Sequence, residues 1–245
     1  TFIDAKKESL KGAFTITDPN FRYSGNSLNY YVSNTKTDSE RSGYENSLIA
    51  TGIGTSFEQY QDLYISPAIS LRFDDLTIKK ASASTGLKKQ EGSFTELAAD
   101  YGITLDKRNS PYMPTDGYIS KFSQALPIYA DAPFIQNTYS FSTYKAFSAD
   151  LIGAFKIYGS AINGLNDEDV RLSKRINLSQ NRIRGFEQGK IGPKDGEDFI
   201  GGNYAAAINV ETSLPNLYSS SSEKPTRSFP KPISDWSKIS LTQRY

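Results

Sequence analysis

The chain contains no cysteine and no histidine. Without thiols there are no disulfides, no thiolate nucleophile and no cysteine metal ligands. Without imidazole, most acid–base chemistry near neutral pH and most zinc sites are excluded as well. Net charge is missing too: 28 Lys and Arg stand against 27 Asp and Glu, so no basic footprint for nucleic acid exists. No apolar run reaches the roughly 18 residues that a membrane-spanning helix needs. The opening residues, TFIDAKKESL, lack the basic start and apolar core of a signal peptide, which leaves either a cytosolic chain or one whose beginning is missing. Site motifs fail in turn. GFEQGKI has one residue too few between its glycines for a phosphate loop, and Ile191 stands where Ser or Thr must hold magnesium. GIG at 52–54 lacks the third glycine of a dinucleotide fingerprint, and small residues in a tilted strand account for it. NDEDV, Asn166 to Val170, clusters carboxylates without the alternating spacing and glycine of a calcium loop, and reads as a solvated outer loop. No pair of carboxylates stands out as acid and base. The expectation is a protein that is not an enzyme and carries no metal and no cofactor.

What is present is alternation with period two. In LKGAFTIT, Leu10, Gly12, Phe14 and Ile16 share one face opposite Lys11, Ala13, Thr15 and Thr17. In LYISPAISLRF, Leu63, Ile65, Pro67, Ile69, Leu71 and Phe73 oppose Tyr64, Ser66, Ala68, Ser70 and Arg72. LAADYGITLD and LIGAFKIYGS repeat the pattern, and YAAAINVETSL sets Ala206, Ile208, Val210 and Leu214 against Ala207, Asn209, Glu211 and Ser213. Less clean alternation runs near 27–35, 47–57, 117–126 and 137–147.

These segments make about nine strands of roughly ten residues, the length that crosses a bilayer when tilted, whereas soluble strands average about five or six. One face is small or charged and the other is rich in Leu, Ile, Phe and Tyr, in a chain with 16 Tyr and 14 Phe. The fold class is therefore all-β, a transmembrane antiparallel β-barrel in part. A soluble β-sandwich alternates with the same period and is the competitor. Short links are expected at 56–59 and 147–150, and long ones at about 74–93 and 161–202. DPNFRYSG and KRNSPYMPTDG fall on the end that should carry short turns, and neither is short.

Within the longest link, RIRGF is followed by IGPKDG and IGGN. These resemble the hallmark loop of the Omp85 superfamily of outer-membrane proteins. LDKRNSPYMPTDGYISKFSQ is similar to a strand, turn and strand of its BamA-type members around a Pro-Thr-x-Gly turn, here Pro114, Thr115, Asp116 and Gly117. FTITDPNFRYSGNSLNYYV is similar to another strand pair of that branch. The motifs keep the family's order over residues 8–218.

The resemblance implies that the loop at 161–202 folds from the cell exterior into the barrel lumen. There Arg184, flanked by Ile183, Gly185 and Phe186, pairs with a carboxylate on the inner wall, matched by Glu211. Parity independently puts Glu211 on the polar face, and a guanidinium can grip a carboxylate with two parallel hydrogen bonds. Gly192, Pro193, Lys194, Asp195, Gly201, Gly202 and Asn203 would support the loop. The implied function is the barrel portion of an assembly factor that inserts and folds β-barrel proteins. The alternatives are a related translocator (two-partner secretion or TamA-like) and a passive porin. Implied partners are the outer-membrane bilayer, nascent β-barrel clients, and assembly-machine lipoproteins reached through POTRA domains. The implied place is the outer membrane of a Gram-negative bacterium, or else of a mitochondrion or plastid. Departures are visible as well. The strands correspond to the fourth through twelfth of about sixteen. NLSQN, Asn177 to Asn181, replaces an aromatic-Gly-Gly, and residues 219–245 carry PKPISDWSKISLTQRY where a strand bearing a second wall acid is expected. That tail is expected to be irregular, since two prolines do not suit a central strand. Residues 1–245 alone are expected to lack assembly activity.

Overall fold

In a computed structural model of the protein, residues 2–213 are described, apart from breaks at 7–8, 40–43, 80–84, 149–150, 167–168, 180, 187–189 and 196–197. Ten strands form one antiparallel sheet. They are β1 (Phe2–Lys6), β2 (Ser9–Asp18), β3 (Ser27–Ser39), β4 (Tyr44–Tyr60), β5 (Leu63–Ile78), β6 (Gly92–Asp106), β7 (Asp116–Ala130), β8 (Phe134–Ala146), β9 (Ile152–Gly164) and, after the long loop, β12 (Tyr204–Ser213). The loop itself contains a two-residue pair, β10 (Lys194–Asp195) with β11 (Asp198–Phe199). Neighbours in sequence are neighbours in the sheet throughout, and among the described residues β1 and β12 do not pair with each other. No helix among the described residues is long and apolar enough to cross a membrane. This is part of a transmembrane β-barrel, as the sequence implies.

The faces are sorted inside out relative to a soluble protein. Ile16, Val32, Ile53, Ile69 and Val210 point outward, each at least 42% exposed, whereas Ser70, Ala98 and Ala207 on the other face are at most 2% exposed. No second sheet covers the apolar face among the described residues, so the β-sandwich reading is set aside. From Leu63 to Phe73 the outward apolar run of β5 rises about 33 Å along the strand. At a tilt of about 40° that is about 25 Å across the membrane, the height of the apolar band of such barrels. Exposed Tyr60, Tyr112 and Phe147 lie at one end, and Tyr129 and Tyr204 at the other, as interfacial aromatic girdles do.

Strands are longer than the alternation indicates. β5 continues through Asp75 and Thr77, and β4 begins at Tyr44. At these extensions the outward side chains turn polar: Glu45 pairs with Lys36 and Lys79, and Ser93 donates to Asp75 at 2.6 Å. The backbone ladder persists where the apolar pattern stops, because water replaces lipid outside while the inner wall still needs paired amides. The short link expected at 56–59 is consequently strand, and the turn falls at 61–62. The link expected at 74–93 shrinks to 79–91, and the long loop covers 165–203. β1 is a tenth strand that alternation does not reveal. Around Pro67, which has no N–H, the β4–β5 ladder lapses between the pairs Gly54–Ala68 and Phe57–Ile65. The GIG stretch is explained by close approach: a Cβ on Gly52 would lie 2.6 Å from the Tyr31 ring, which lies across the inner wall there.

The buried apolar core is loop against wall. Val170, Ile176, Leu178 and Ile183 of the loop pack on Phe134, Ile162, Ala205 and Ala207 of β8, β9 and β12. The tail 219–245 lies outside the described residues.

Because Ile69 faces hydrocarbon and Ser123 faces the lumen, Ile69→Arg in the full-length protein should destabilise the folded barrel by about 2–4 kcal/mol, while Ser123→Arg should change it by less than about 1 kcal/mol. Equilibrium unfolding in lipid vesicles measures both.

Candidate functional site: the arginine loop on the inner wall

Three consecutive residues of the loop make three different contacts. The Arg182 guanidinium stacks on the ring of Tyr158, 3.4 Å from its centroid, a cation–π arrangement on the polar face of β9. Ile183, 3% exposed, enters the apolar cluster between loop and wall. Arg184 reaches β12, where its Nη2 lies 3.4 Å from Glu211 Oε1. A turn sets this alternation up, with the N–H groups of Arg182 and Ile183 both donating to the Ser179 carbonyl at 2.9 and 3.1 Å.

Glu211 is shared. Lys156 of β9 donates to its Oε2 at 2.6 Å. The contact with Arg184 is a single ion pair rather than the two parallel hydrogen bonds that guanidinium geometry allows. At 35% and 24% side-chain exposure the Arg184–Glu211 pair is partly hydrated, so its net worth is up to about 1 kcal/mol. Lys156 was legible only as a polar-face residue; its register two strand positions from the Glu211 pair, Lys156 opposite Asn209 and Ala154 opposite Glu211, makes the meeting.

The other motif residues are spread along the loop. Gly185, Gly192 and Gly201 adopt φ of +84°, +118° and +71°. Phe186 is exposed and is not brought into the apolar cluster. The Pro193 carbonyl accepts from Ile200 N–H at 3.1 Å, and Lys194 Nζ sits 4.4 Å from the Phe199 ring centroid across the small hairpin. Asp195 Oδ2 accepts from Gly86 N–H at 3.2 Å, tying the loop to the 79–91 connection. Gly202 exchanges backbone hydrogen bonds with Ile176 at 2.8 and 3.1 Å. Asn203 donates to Asp169 at 3.2 Å, and Arg175 also pairs with Asp169. Asp169 is therefore tied to the loop although its side chain stays 67% exposed, as a solvated loop implies. Burial raises its pKa, but hydrogen bonds from Asn203 and the Val170 N–H, together with the Arg175 charge, outweigh that and lower it.

The Pro-Thr-Asp-Gly turn lies at the end of the sheet opposite the one where the arginine loop leaves β9 and enters β12. Asn109 organises it: its Oδ1 accepts from the N–H groups of Thr115 and Asp116 at 3.1 and 3.2 Å, and its Nδ2 donates to Thr115 Oγ1 at 2.7 Å. Gly117 is required by space and conformation together. Its φ is +92°, and a Cβ there would stand 2.1 Å from the Lys107 carbonyl oxygen. Arg108 grips Asp106 with two hydrogen bonds of 2.8 and 2.7 Å, and Lys145 reaches Asp116 at 3.0 Å.

A second charged cluster, which the motifs do not mark, joins the loop to β5 and β6. Arg171 Nη1 lies 3.3 Å from Asp74 Oδ2, and Lys174 Nζ lies 3.3 Å from the same oxygen and 3.7 Å from Glu96 Oε2. Arg72 bridges Glu96 at 2.9 Å and both oxygens of Asp100 at 2.9 and 2.8 Å, while Ser70 donates to Asp100 at 2.5 Å. Alternation places Ser70 and Arg72 on the inner face, but the partners from the loop come from about a hundred positions away and carry no local signal.

The geometry defines a class: a membrane barrel whose arginine-bearing loop lies folded on its own inner wall. An Omp85 superfamily domain matches residues 3–227. The chain belongs to that superfamily, and its place is an outer membrane. It is 25% identical over 176 residues to outer membrane protein assembly factor BamA of Neorickettsia risticii, covering 70% of this chain and 24% of that protein. It is 26% identical over 178 residues to a SAM50-like protein of Schizosaccharomyces pombe, covering 69% of this chain and 37% of that one. The crystal structure of BamA from Haemophilus ducreyi lacking POTRA domains 1–3 superposes with a TM-score of 0.76 at 19% identity, over 87% of this chain and 46% of that one. The chain thus spans about a quarter to a third of the length of these curated relatives.

Two outcomes follow. Gly117→Ala should cost about 1–3 kcal/mol of barrel stability through backbone strain, read by the unfolding midpoint. Glu211→Gln removes the carboxylate that Arg184 and Lys156 share. Trypsin cleavage at Arg182 and Arg184 in the folded full-length protein should rise about fivefold, as the loss of about 1 kcal/mol implies.

Proposed function

We propose that this chain is the barrel portion of an outer-membrane protein assembly factor, one that inserts and folds β-barrel proteins in the outer membrane. The observation that carries this reading is the loop, whose Arg184 meets Glu211 on the inner wall. Family membership and the names of the two relatives, an assembly factor and a SAM50-like protein, support it. Physically the task is to bring a client strand into hydrocarbon without leaving amides unpaired, since each orphan costs several kcal/mol. A barrel edge that pairs with the client strand by β-augmentation meets that need without nucleotide, and local thinning of the bilayer lowers the barrier. Arg184 acts as a latch that holds the loop inside the lumen, and Glu211 is its catch. The partners are then the bilayer, nascent β-barrel clients and, through POTRA domains, the lipoproteins of the assembly machine. The bacterial setting is favoured over mitochondria or plastids by the Pro-Thr-Asp-Gly turn and the complete IGPKDG run.

Arg184→Ala in the full-length parent, reconstituted in lipid vesicles, should slow client-barrel insertion several-fold while the parent barrel stays folded. Unchanged insertion together with a normally placed loop would remove the latch role. A steady ion conductance with no effect on client folding would favour a porin instead.

A further inference from the structure

The loop touches the wall at two charged places that differ in burial. At the Arg184–Glu211 end both side chains are partly hydrated, 35% and 24% exposed. At the other end Arg171 is 7% exposed and Asp74 only 3%. The Arg171 guanidinium also lies flat on Phe94, 3.3 Å from the ring centroid, and Leu172 packs on fully buried Leu76 while its N–H donates to Gln90 at 2.6 Å. In the sheet order, β5 and β12 are separated by β6, β7, β8 and β9. The five strand-to-strand steps between them span roughly 24 Å across the sheet, and the register adds a displacement along the strands. Between them the loop packs as a strap on the inner faces of β8, β9 and β12.

The cluster is not what simple packing would select. Asp74 Oδ1 and the Nε and Nη2 of Arg171 are buried without a partner among the described residues. Apolar side chains of similar volume would fill this space at lower cost, whereas removing one charge of a buried pair leaves the other uncompensated. One use for charges kept under those conditions is to fix register. Arg72, Arg171 and Lys174 pair with Asp74, Glu96 and Asp100, and Asp131 also acts on Arg171, so losing one member leaves its partners under-compensated.

We infer that Arg171 and Lys174, held by Asp74 and Glu96, are the positioning residues that fix the arginine loop on the wall, and that the Arg184–Glu211 contact is its releasable end. The anchor itself is independent of the assembly reading, on which rests only the use to which release is put. A loop fixed at β5–β6 and free to detach at β12 would uncover the inner face of β9 and β12 without leaving the lumen.

The chain's lack of cysteine makes the test clean. In a cysteine-free background of the full-length parent in lipid vesicles, spin labels at Asn181→Cys on the loop and Ser123→Cys on the lumen wall report their separation by pulsed EPR. Asp74→Asn should move more than half of the population away from the parent distance, whereas Glu211→Gln should broaden the distribution and leave its main peak. The double variant Asp74→Asn with Arg171→Met removes both charges and keeps volume, which supplies a folded comparison if the single variant fails to fold, and it should displace the loop as well. Parent-like distances in both Asp74 variants, or a larger displacement in Glu211→Gln than in either, would overturn the inference. Client insertion measured on the same vesicles separates the two claims. A displaced loop with normal insertion supports the anchor and counts against the assembly role. Slowed insertion with an undisplaced loop counts against the anchor.

Discussion

A backbone amide in hydrocarbon has no water to turn to, and the structure is organised around that constraint. Ten strands meet it by pairing in sequence order in one sheet, with a lapse beside Pro67. Once the amides are paired, period two does the rest: every other side chain meets lipid, and the remainder meet the lumen. Ile69 and Ser70 are adjacent in sequence and differ completely in surroundings, one half exposed to lipid and the other fully buried under the loop side. Hydrophobic burial in the usual sense is left to the loop, whose Val170, Ile176, Leu178 and Ile183 supply the apolar half of the one sizeable core cluster among the described residues.

A lumen lined by polar side chains cannot hold a segment by apolar contact alone, so ionic and stacking contacts complete the docking. With no histidine and no cysteine, these contacts are carried by Arg, Lys, Asp and Glu. Their strength depends on geometry and hydration. The partly hydrated pair at Glu211 and the buried pair at Asp74 sit at opposite ends of the same strap, and their different hydration gives the loop one firm end and one weaker end.

Much of the fold was legible, and the reasons for the rest are specific. The Leu63–Phe73 alternation reveals a membrane strand because lipid imposes apolar side chains at every second position. The same rule hides the strand's end, since Asp75 and Thr77 face water and the pattern stops although pairing continues to Ile78. β1, only Phe2–Lys6, is too short for alternation to show. At the site, the RIRGF motif and the parity of Glu211 single out residues that lie 3.4 Å apart in the fold. Lys156 as a third member needs the β9–β12 register, which no local pattern contains. Arg171 and Lys174 need more still, because the loop must first fold into the lumen to meet Asp74 on β5 and Glu96 on β6. The roles of Asn109 and Gly117 in the turn were visible only in part: the glycine was marked by its motif, and the asparagine that caps it was not.

The most direct test of the whole account is the polarity seen by single labels placed one at a time along β5, at Ile65, Ser66, Ile69, Ser70 and Phe73, in the full-length protein in lipid vesicles. Oxygen and water-soluble quenchers should report lipid at Ile65, Ile69 and Phe73, and a water-lined or protein-covered interior at Ser66 and Ser70. Equal accessibility to lipid on both faces, or lipid contact at Ser66 and Ser70, would contradict it.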